Sequence, residues 1–575
     1  MKAFFYFYID NKPMKQLLIL FLSLYITQAA AFTKKDTLLG SNGMGRNWWN
    51  VLHYDVQVDI DIDNHFIEGK TILSFNLINA LRDSLQIDLQ EPLKITSLFC
   101  KKRNSKDSIA LDFKRDQDIY WINFAKQSFK KGDTLQLIIN YEGKPTEAKN
   151  PPWDGGFVWK KDINNKPWVS VACQGKGASC WFPCKDLQSD EPDWGARIAI
   201  NPSNNQLRVV SNGIEHELND TVAVTDPISN EQSIKVFFKN YFTVSNPINN
   251  YDITFYIGDY VKWTDTLHGE KGILPLSFYV LKNNEQAARK QFTVVKPMLH
   301  CFESWMGPYP FYEDGYKLVE APFLGMEHQS AVAYGNQYQM GYLGKDRSKT
   351  GFGLQFDFII VHESAHEWFG NSITASDVAY NWIHEGWTTY AEALFAECLL
   401  DKESANAYAL GTWEMIQNEQ NVQAEKGVHK EGADIYTKGA AIVHMIRKMI
   451  NNDDQFKQAL RKMNQSFYHQ IVTENQLESY WESAISSIMD KSNVKTFFNQ
   501  YLRTTDIPKL ETKLENGKFS YRFSNCLPNF TLPIVLSNQK DATTKYPTSE
   551  WKSVAEDNLM EDWESILENY LIEVE

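Results

Sequence analysis

The stretch VHESAHEWFGN, residues 361–371, decides the fold and the chemistry of this chain. On an α-helix, His362 and His366 are four residues apart and lie on the same face, so both imidazoles reach one metal ion. Glu363 lies beside them, in a place to take a proton from water. A chance His-Glu-x-x-His arises on the order of once in a hundred chains of this length, so the remaining ligands must be found before the site is credible.

A catalytic zinc ion needs a third protein ligand and an open fourth position. Glu385 is separated from His366 by 18 residues and lies in WIHEGWTTY, residues 382–390, where a second helix is expected to begin. Its carboxylate can complete a site of two histidines and one glutamate, which we predict to hold one zinc ion per chain. Glu392 lies two turns further along the same face and is predicted to orient a zinc-binding histidine, the alternative being a solvated carboxylate.

Length and composition fit a large globular protein. The chain has 575 residues, which favours two to four domains, and 43% of them are hydrophobic. Asp and Glu outnumber Lys and Arg by 72 to 58, so the net charge is −14. Such a chain repels phosphate backbones, and we expect no nucleic-acid partner.

The N-terminus has the pattern of a signal peptide. Residues 17–26, LLILFLSLYI, form an apolar run that follows Lys15 and precedes the small residues 29–31. The run is too short to cross a bilayer, and no other run comes close, so we expect no transmembrane segment. Met14 is an alternative start. The sequence therefore predicts a signal peptide at 1–31 and a secreted or periplasmic protein.

Periodicity divides the rest of the chain. From Tyr54 onward apolar and polar residues alternate, which predicts a half-buried strand. Further strands are predicted at residues 71–77, 134–141, 196–200, 207–210 and 251–257. Past residue 285 the pattern favours helices at 356–369, 388–400, 436–450, 455–467 and 476–489, the last with a capping box formed by Thr473 and Gln476. Strands return at 518–523 and 530–536.

We therefore predict a multidomain α+β protein. An N-terminal antiparallel β-sheet domain spans residues 32–257, a mainly helical zinc catalytic domain spans 258–506, and a short C-terminal β segment with an acidic tail spans 507–575. Seven cysteines are an odd number, so at least one is unpaired within the chain. Both a bridge within the cluster of Cys173, Cys180 and Cys184 and buried free thiols are compatible with the sequence.

Several motifs resemble peptidase family M1, the gluzincin aminopeptidases that include aminopeptidase N and leukotriene A4 hydrolase. Besides the zinc motif and its spacing to Glu385, GMEH at 325–328 is similar to the family's Gly-x-Met-Glu-Asn exopeptidase motif. YTKG at 436–439 is similar to its tyrosine motif, and WFPCKD at 181–186 to a segment near the end of its N-terminal domain. The resemblance runs from about residue 45 to 510 and implies a thermolysin-like catalytic domain.

The resemblance also implies roles for single residues. Glu327, in the motif that Gly325 and Met326 begin, binds the substrate's free α-ammonium, which is protonated at neutral pH and pairs with a carboxylate. Gln174 corresponds to the second polar group of that anchor, unless it is an ordinary loop side chain. Tyr436 donates its hydroxyl to the oxyanion, unless its ring only packs on a helix.

Two departures from the family pattern stand out. His328 replaces the asparagine of the exopeptidase motif, and we expect it to act as a similar donor to neighbouring backbone rather than as a further metal ligand. About 65 residues follow Pro508 in this sequence, which are too few to form the long C-terminal helical domain that many members carry, so we do not carry over the family's C-terminal selectivity contacts.

The predicted activity is that of a secreted zinc-dependent aminopeptidase, a hydrolase that removes the first residue of peptides with a free N-terminus. Zinc would activate water while Glu363 acts as general base. A thermolysin-type endopeptidase shares the same zinc motif but has no use for an ammonium anchor. A non-catalytic peptide-binding protein is a further alternative, although such proteins usually lose the base or a ligand. Epoxide hydrolase activity, known in one branch of the family, rests on fold-level analogy alone.

Overall fold

The computed structural model describes residues 32–217, 222–225, 232–235, 240–515, 518–536, 544–555 and 564–575. The predicted signal peptide and residues 556–563 of the acidic tail lie outside the described residues. Within the described residues, the helices are all too short or too polar to cross a bilayer.

The N-terminal part is built almost entirely from strands. After a short helix, α1 (Lys34–Gly40), the strands are β1 (Trp49–Asp61), β2 (Phe66–Leu77), β3 (Ser84–Asp88), β4 (Lys94–Lys102), β5 (Ile109–Ala110), β6 (Phe113–Asp116), β7 (Ile119–Asn123), β8 (Thr134–Gly143), β9 (Gly156–Lys161), β10 (Pro167–Ala172), β11 (Ala196–Pro202), β12 (Arg208–Ser211), β13 (Ile214–Glu217), β14 (Val222–Thr225), β15 (Gln232–Lys235), β16 (Asn240–Val244) and β17 (Phe255–Gly258).

Two sheets of this part enclose a common core. One has eight strands in the order β13-β16-β11-β1-β2-β8-β4-β5, and the other has four in the order β12-β17-β10-β9. Along β1 the apolar side chains that alternate in the sequence, including Tyr54, Val56 and Val58, are fully buried, as the period of two predicts. Most pairs are antiparallel as expected, but β1 and β11 run parallel.

The catalytic part begins with a five-stranded sheet in the order β18-β19-β20-β22-β21. Its strands are β18 (Tyr260–Gly269), β19 (Gly272–Leu281), β20 (Tyr316–Glu320), β21 (Gly325–Met326) and β22 (Val332–Tyr334), and two further short strands are β23 (Ile373–Ala375) and β24 (Gln470–Val472). The helices are α2 (Glu285–Gln291), α3 (Val295–Met306), α4 (Phe358–Ala365), α5 (Trp382–Leu399), α6 (Lys402–Thr412), α7 (Thr437–Ile450), α8 (Asp453–Ser466), α9 (Glu474–Ala484) and α10 (Lys491–Arg503).

A small C-terminal sheet follows, with the order β29-β26-β25-β30, beside the pair β27-β28. Its elements are β25 (Lys509–Glu515), β26 (Lys518–Ser524), β27 (Ile534–Val535), β28 (Thr544–Lys545), β29 (Lys552–Ala555), α11 (Glu564–Leu567) and β30 (Glu573–Val574). Along the chain, a β part comes first, a mainly helical part follows, and strands return at the end. This order confirms the predicted fold class. The capping box of Thr473 and Gln476 is also confirmed.

Several predicted elements differ from the observed ones. The helix predicted at 356–369 ends at Ala365, because Gly370 adopts a φ of 119° and the chain turns back there. The strand predicted at 251–257 starts only at Phe255, since residues 250–252 form a 3-10 turn. The strand predicted at 530–536 is reduced to Ile534–Val535.

One disulfide links Cys301 on α3 to Cys398 on α5, with 6.1 Å between the two Cα atoms. The bridge considered within the Cys173 cluster is absent from the described residues. Cys173 and Cys180 have their sulfur atoms 3.8 Å apart, and both remain buried free thiols, as does Cys184.

Candidate active site

Three side chains converge on one point between α4 and α5. The two Nε2 atoms of His362 and His366 are 3.3 Å apart. The Oε2 atom of Glu385, in the first turn of α5, lies 3.5 Å from His362 Nε2 and 3.3 Å from His366 Nε2. Ligands placed tetrahedrally at about 2.0–2.1 Å from a zinc ion are roughly 3.3 Å from each other, so this triangle has the size that zinc requires.

The two imidazole rings are oriented by bonds at their other nitrogens. His362 Nδ1 lies 2.7 Å from Glu392 Oε1, and the hydroxyl of Tyr408 donates to the second oxygen of Glu392 at 2.6 Å. His366 Nδ1 lies 2.9 Å from the Phe369 carbonyl, which the turn at Gly370 brings back towards the helix. Because Nδ1 is the donor in each ring, Nε2 keeps its lone pair for a metal ion.

Glu392 is buried and carries these two hydrogen bonds, so it is not the solvated carboxylate of the alternative interpretation.

The Glu385 carboxylate fits a metal ligand on further grounds. Its Oε2 atom is buried and accepts no hydrogen bond, an arrangement that costs free energy unless a cation is present. The donor set of two imidazoles and one carboxylate therefore fits zinc.

Glu363 points into the same cleft beside the exopeptidase motif. A Cβ atom on Gly325 would lie 2.6 Å from Glu363 Oε1 and 2.8 Å from a methyl carbon of Ile359, so only glycine fits there. Burial raises the pKa of Glu363 to about 8. Strand β21, which contains Gly325 and Met326, thus packs directly against α4, the helix that contains His362 and ends just before His366.

Glu327 and Gln174 meet although 153 positions separate them in the chain. Gln174 Nε2 donates to Glu327 Oε1 at 2.8 Å and to Glu385 Oε1 at 3.1 Å. The Asn371 side chain donates to the Glu327 carbonyl at 2.8 Å and fixes the backbone there. An acceptor-rich recess therefore lies next to the metal ligands, with one wall from each of the two large domains.

Tyr436 lies directly before α7, with its ring 6.0 Å from the His362 ring. Its hydroxyl makes no hydrogen bond with any described residue, and burial, reinforced by Glu385, raises its pKa far above the usual value. The hydroxyl therefore keeps its proton and is free to donate it in a hydrogen bond.

His328 does not have the backbone partner that the sequence led us to expect. It is fully buried, and its Nδ1 lies 2.6 Å from the Tyr256 hydroxyl, which itself donates to the Ala331 carbonyl. Burial lowers the pKa of His328 to about 3, so the ring is neutral. It belongs to neither of the metal-ligand groups found among the described residues. The His328 ring therefore donates its hydrogen bond to Tyr256 of β17, in the N-terminal domain.

Sequence reasoning missed other residues that line the cleft. Trp153, Tyr342 and Arg347 border it, and they come from loops without a periodic pattern. A second cavity of about 180 Å³ adjoins Gln174 and is bordered by Tyr251, Asn381 and Glu431, among other residues. Burial raises the pKa of Glu431 to about 7, and Asn381 donates to it at 2.7 Å.

Comparison with known proteins identifies the family. The model of the peptidase M1 N-terminal domain matches residues 50–236, and that of the peptidase family M1 domain matches residues 291–501. The chain belongs to peptidase family M1. The resemblance inferred from the motifs is thereby confirmed. Membership of family M1 implies one catalytic zinc ion, and His362, His366 and Glu385 form a buried cluster that could hold it.

Similar M1 proteins include leukotriene A-4 hydrolase of Xenopus laevis, 22% identical over 81% of this chain and 73% of that protein. Aminopeptidase N of Lactobacillus delbrueckii subsp. lactis is 22% identical over 81% of this chain, and aminopeptidase B of Mus musculus is 27% identical over 42%. The chain spans 52% and 38% of the length of these last two relatives.

Among solved structures, the M1 zinc metallopeptidase of Deinococcus radiodurans shares the fold. The TM-score is 0.59 at 18% sequence identity, with 80% of this chain and 95% of that chain covered. At this identity the likeness shows the fold alone.

Proposed function

We propose that this chain is a secreted zinc aminopeptidase that hydrolyses the N-terminal peptide bond of peptides. The observation that carries the proposal is the hydrogen bond from Gln174 to Glu327, beside the zinc ligands and within 3.1 Å of Glu385. A buried carboxylate and an amide oxygen together suit a primary ammonium group, which has three donors to satisfy. An anchor so close to the metal leaves room for a single residue before the scissile bond.

The proposed reaction uses residues on each side of the substrate carbonyl. A bound zinc ion would act as a Lewis acid and lower the pKa of the water molecule that it binds. Glu363 takes the proton from the attacking water and passes it to the leaving amine. Tyr436 donates its hydroxyl to the oxyanion, because that hydroxyl has no other partner among the described residues.

Two observations support a location outside the cytoplasm. The apolar run at 17–26 has the features of a signal peptide. The bridge between Cys301 and Cys398 is of a kind that persists in oxidising compartments.

Hydrolysis of a panel of aminoacyl anilides tests the proposal. We expect cleavage of free-amine anilides but not of their N-acetylated counterparts, with activity lost on chelation and restored by zinc. Cleavage of internal bonds in N-blocked peptides would instead favour the thermolysin-type endopeptidase. If neither class is cleaved although zinc is bound, the peptide-binding alternative gains support.

The Glu363→Gln variant tests the general base separately. The substitution should abolish turnover while the zinc content, measured by elemental analysis, stays at one per chain. Persistent activity in that variant would refute the role of Glu363.

A further inference from the structure

Arg347 borders the catalytic cleft and has no anionic partner among the described residues. Its guanidinium carbon lies 5.0 Å from the centre of the Phe358 ring and 5.4 Å from that of Tyr342. No hydrogen bond or ion pair involves this guanidinium within the part of the chain that the structure describes, and the adjacent Asp346 carboxylate is bound to Ser348 and Gly351 instead. Two ring faces therefore hold a charge whose hydrogen-bond donors are unused.

Charge in the cleft is divided between its two ends. Glu327, Glu363 and His366 offer ligand atoms within 4.8 Å of one another at one end. Among the described residues that line the cleft, Arg347 is the one lysine or arginine, and it lies at the other end beside Phe358. A substrate with an ammonium at one terminus and a carboxylate at the other matches this arrangement.

Helix α4 provides a measure of the distance between the two ends. Phe358 and His362 lie in α4, and His366 directly follows its last residue with helical backbone angles, so the three lie on one face. The Phe358 and His362 rings are stacked at 5.2 Å. Phe358 precedes His366 by eight residues, which corresponds to about 12 Å along the helix axis. An extended peptide advances about 3.3–3.6 Å per residue, so roughly three residues span this distance.

We propose that Arg347 binds the free α-carboxylate of short peptides, chiefly tripeptides, whose N-terminal ammonium is held by Glu327 and Gln174. This inference rests on the proposed function, because it assumes that the ammonium end is fixed near the zinc ligands. A guanidinium and a carboxylate pair through two parallel hydrogen bonds, so the contact is both strong and specific in its geometry. Arg347 thereby sets the substrate class without taking part in the chemical step.

The test compares a tripeptide acid with the same tripeptide carrying a C-terminal amide, using the N-terminal residue that is best cleaved as an anilide. We expect kcat/KM to be about tenfold to a hundredfold higher for the acid in the wild-type protein, since hydrogen bonds between charged groups have this range. Arg347→Gln should bring the ratio close to one, and Arg347→Lys should retain part of it. General structural damage would lower both rates and leave the ratio unchanged.

Lys349→Gln is the matched control, because Lys349 is exposed, lies two positions away and pairs with Glu414. It should keep the wild-type ratio. A wild-type ratio near one, or an unchanged ratio in Arg347→Gln, would overturn the proposal.

A binding measurement separates this inference from the proposed function. Calorimetry with the zinc-loaded Glu363→Gln variant compares the affinities of the acid and the amide without any turnover. If anilides are not cleaved but the acid still binds more tightly, the proposed function fails while Arg347 remains a carboxylate site. If anilides are cleaved but acid and amide bind equally, the Arg347 proposal fails alone.

Discussion

Gln174 Nε2 lies 2.8 Å from Glu327 Oε1, and this contact joins the loop after β10 to the loop after β21. One partner comes from the N-terminal β domain and the other from the catalytic domain. The recess that we propose for the substrate ammonium therefore exists only when the two domains are packed together, because neither residue alone provides both acceptors.

The first prediction concerns this recess. Glu327→Ala should reduce kcat/KM for free-amine substrates by at least about tenfold to a hundredfold, because a hydrogen bond to a charged group is lost. Gln174→Ala should have a smaller effect, since the amide carries no charge. Steady-state kinetics on free and N-blocked peptides measures both. Equal losses on the two substrate types would remove the exopeptidase assignment.

The second prediction concerns the support of the zinc ligand His362. Glu392→Gln leaves the size of the side chain unchanged but weakens the acceptor at His362 Nδ1, where the distance is 2.7 Å. We expect zinc affinity to fall about 10–100-fold, as for other partners that orient a metal ligand. Competition with a chromogenic chelator measures it, and Glu403→Gln on the exposed surface of α6 is the control. Unchanged affinity would contradict the prediction.

The third prediction concerns Tyr436. Removing its hydroxyl in Tyr436→Phe should lower kcat by about 10²–10³, since a donor to the developing oxyanion is lost. The ring remains packed near His362, so the zinc content and the melting temperature should change little. A variant that retains full kcat would show that Tyr436 only packs.

The fourth prediction concerns the disulfide, which closes a segment of 97 residues between Cys301 and Cys398. The double variant Cys301→Ser, Cys398→Ser should lose about 3–5 kcal/mol of unfolding free energy, because the unfolded chain is no longer restrained. Urea unfolding with and without reductant measures the loss. Cys526→Ser is the control, as that thiol is free; an equal effect of reductant on the double variant and the wild type would contradict the assignment.

The fifth prediction concerns the acid side of the stability profile. Although burial opposes it, Arg447 and Lys402 lower the pKa of Asp453 to about 2. A carboxyl with a lowered pKa stabilises the fold above its unfolded value near 3.8 and loses that effect as the pH falls towards 2. Asp453→Asn should therefore be less stable than wild type at pH 6, with a difference that shrinks between pH 4 and pH 2. Urea unfolding at a series of pH values tests the slope.

The local sequence was sufficient to predict features that depend on a short, regular spacing of residues. The spacing of His362 and His366 on one helical face, the alternation along β1 and the capping box at Thr473 each depend on neighbours within one or two turns. The predicted end of α4 at residue 369 was wrong. Apolar residues continue to Phe369, but the chain turns at Gly370. The prediction that His328 donates to neighbouring backbone was also wrong, because its ring contacts the hydroxyl of Tyr256, which lies 72 positions away.

The sequence by itself was sufficient to predict a zinc-ligand set, a candidate base and the order of β and helical parts, because helical periodicity and motif spacing fix those side chains relative to one another. Tertiary structure alone decided that Gln174 contacts Glu327, that Cys301 pairs with Cys398 and that Arg347 packs on the Phe358 ring. These contacts join segments from different elements, and no local pattern records them. They depend on how the two large domains and the connecting loops pack, which minimises exposed apolar surface over the whole chain.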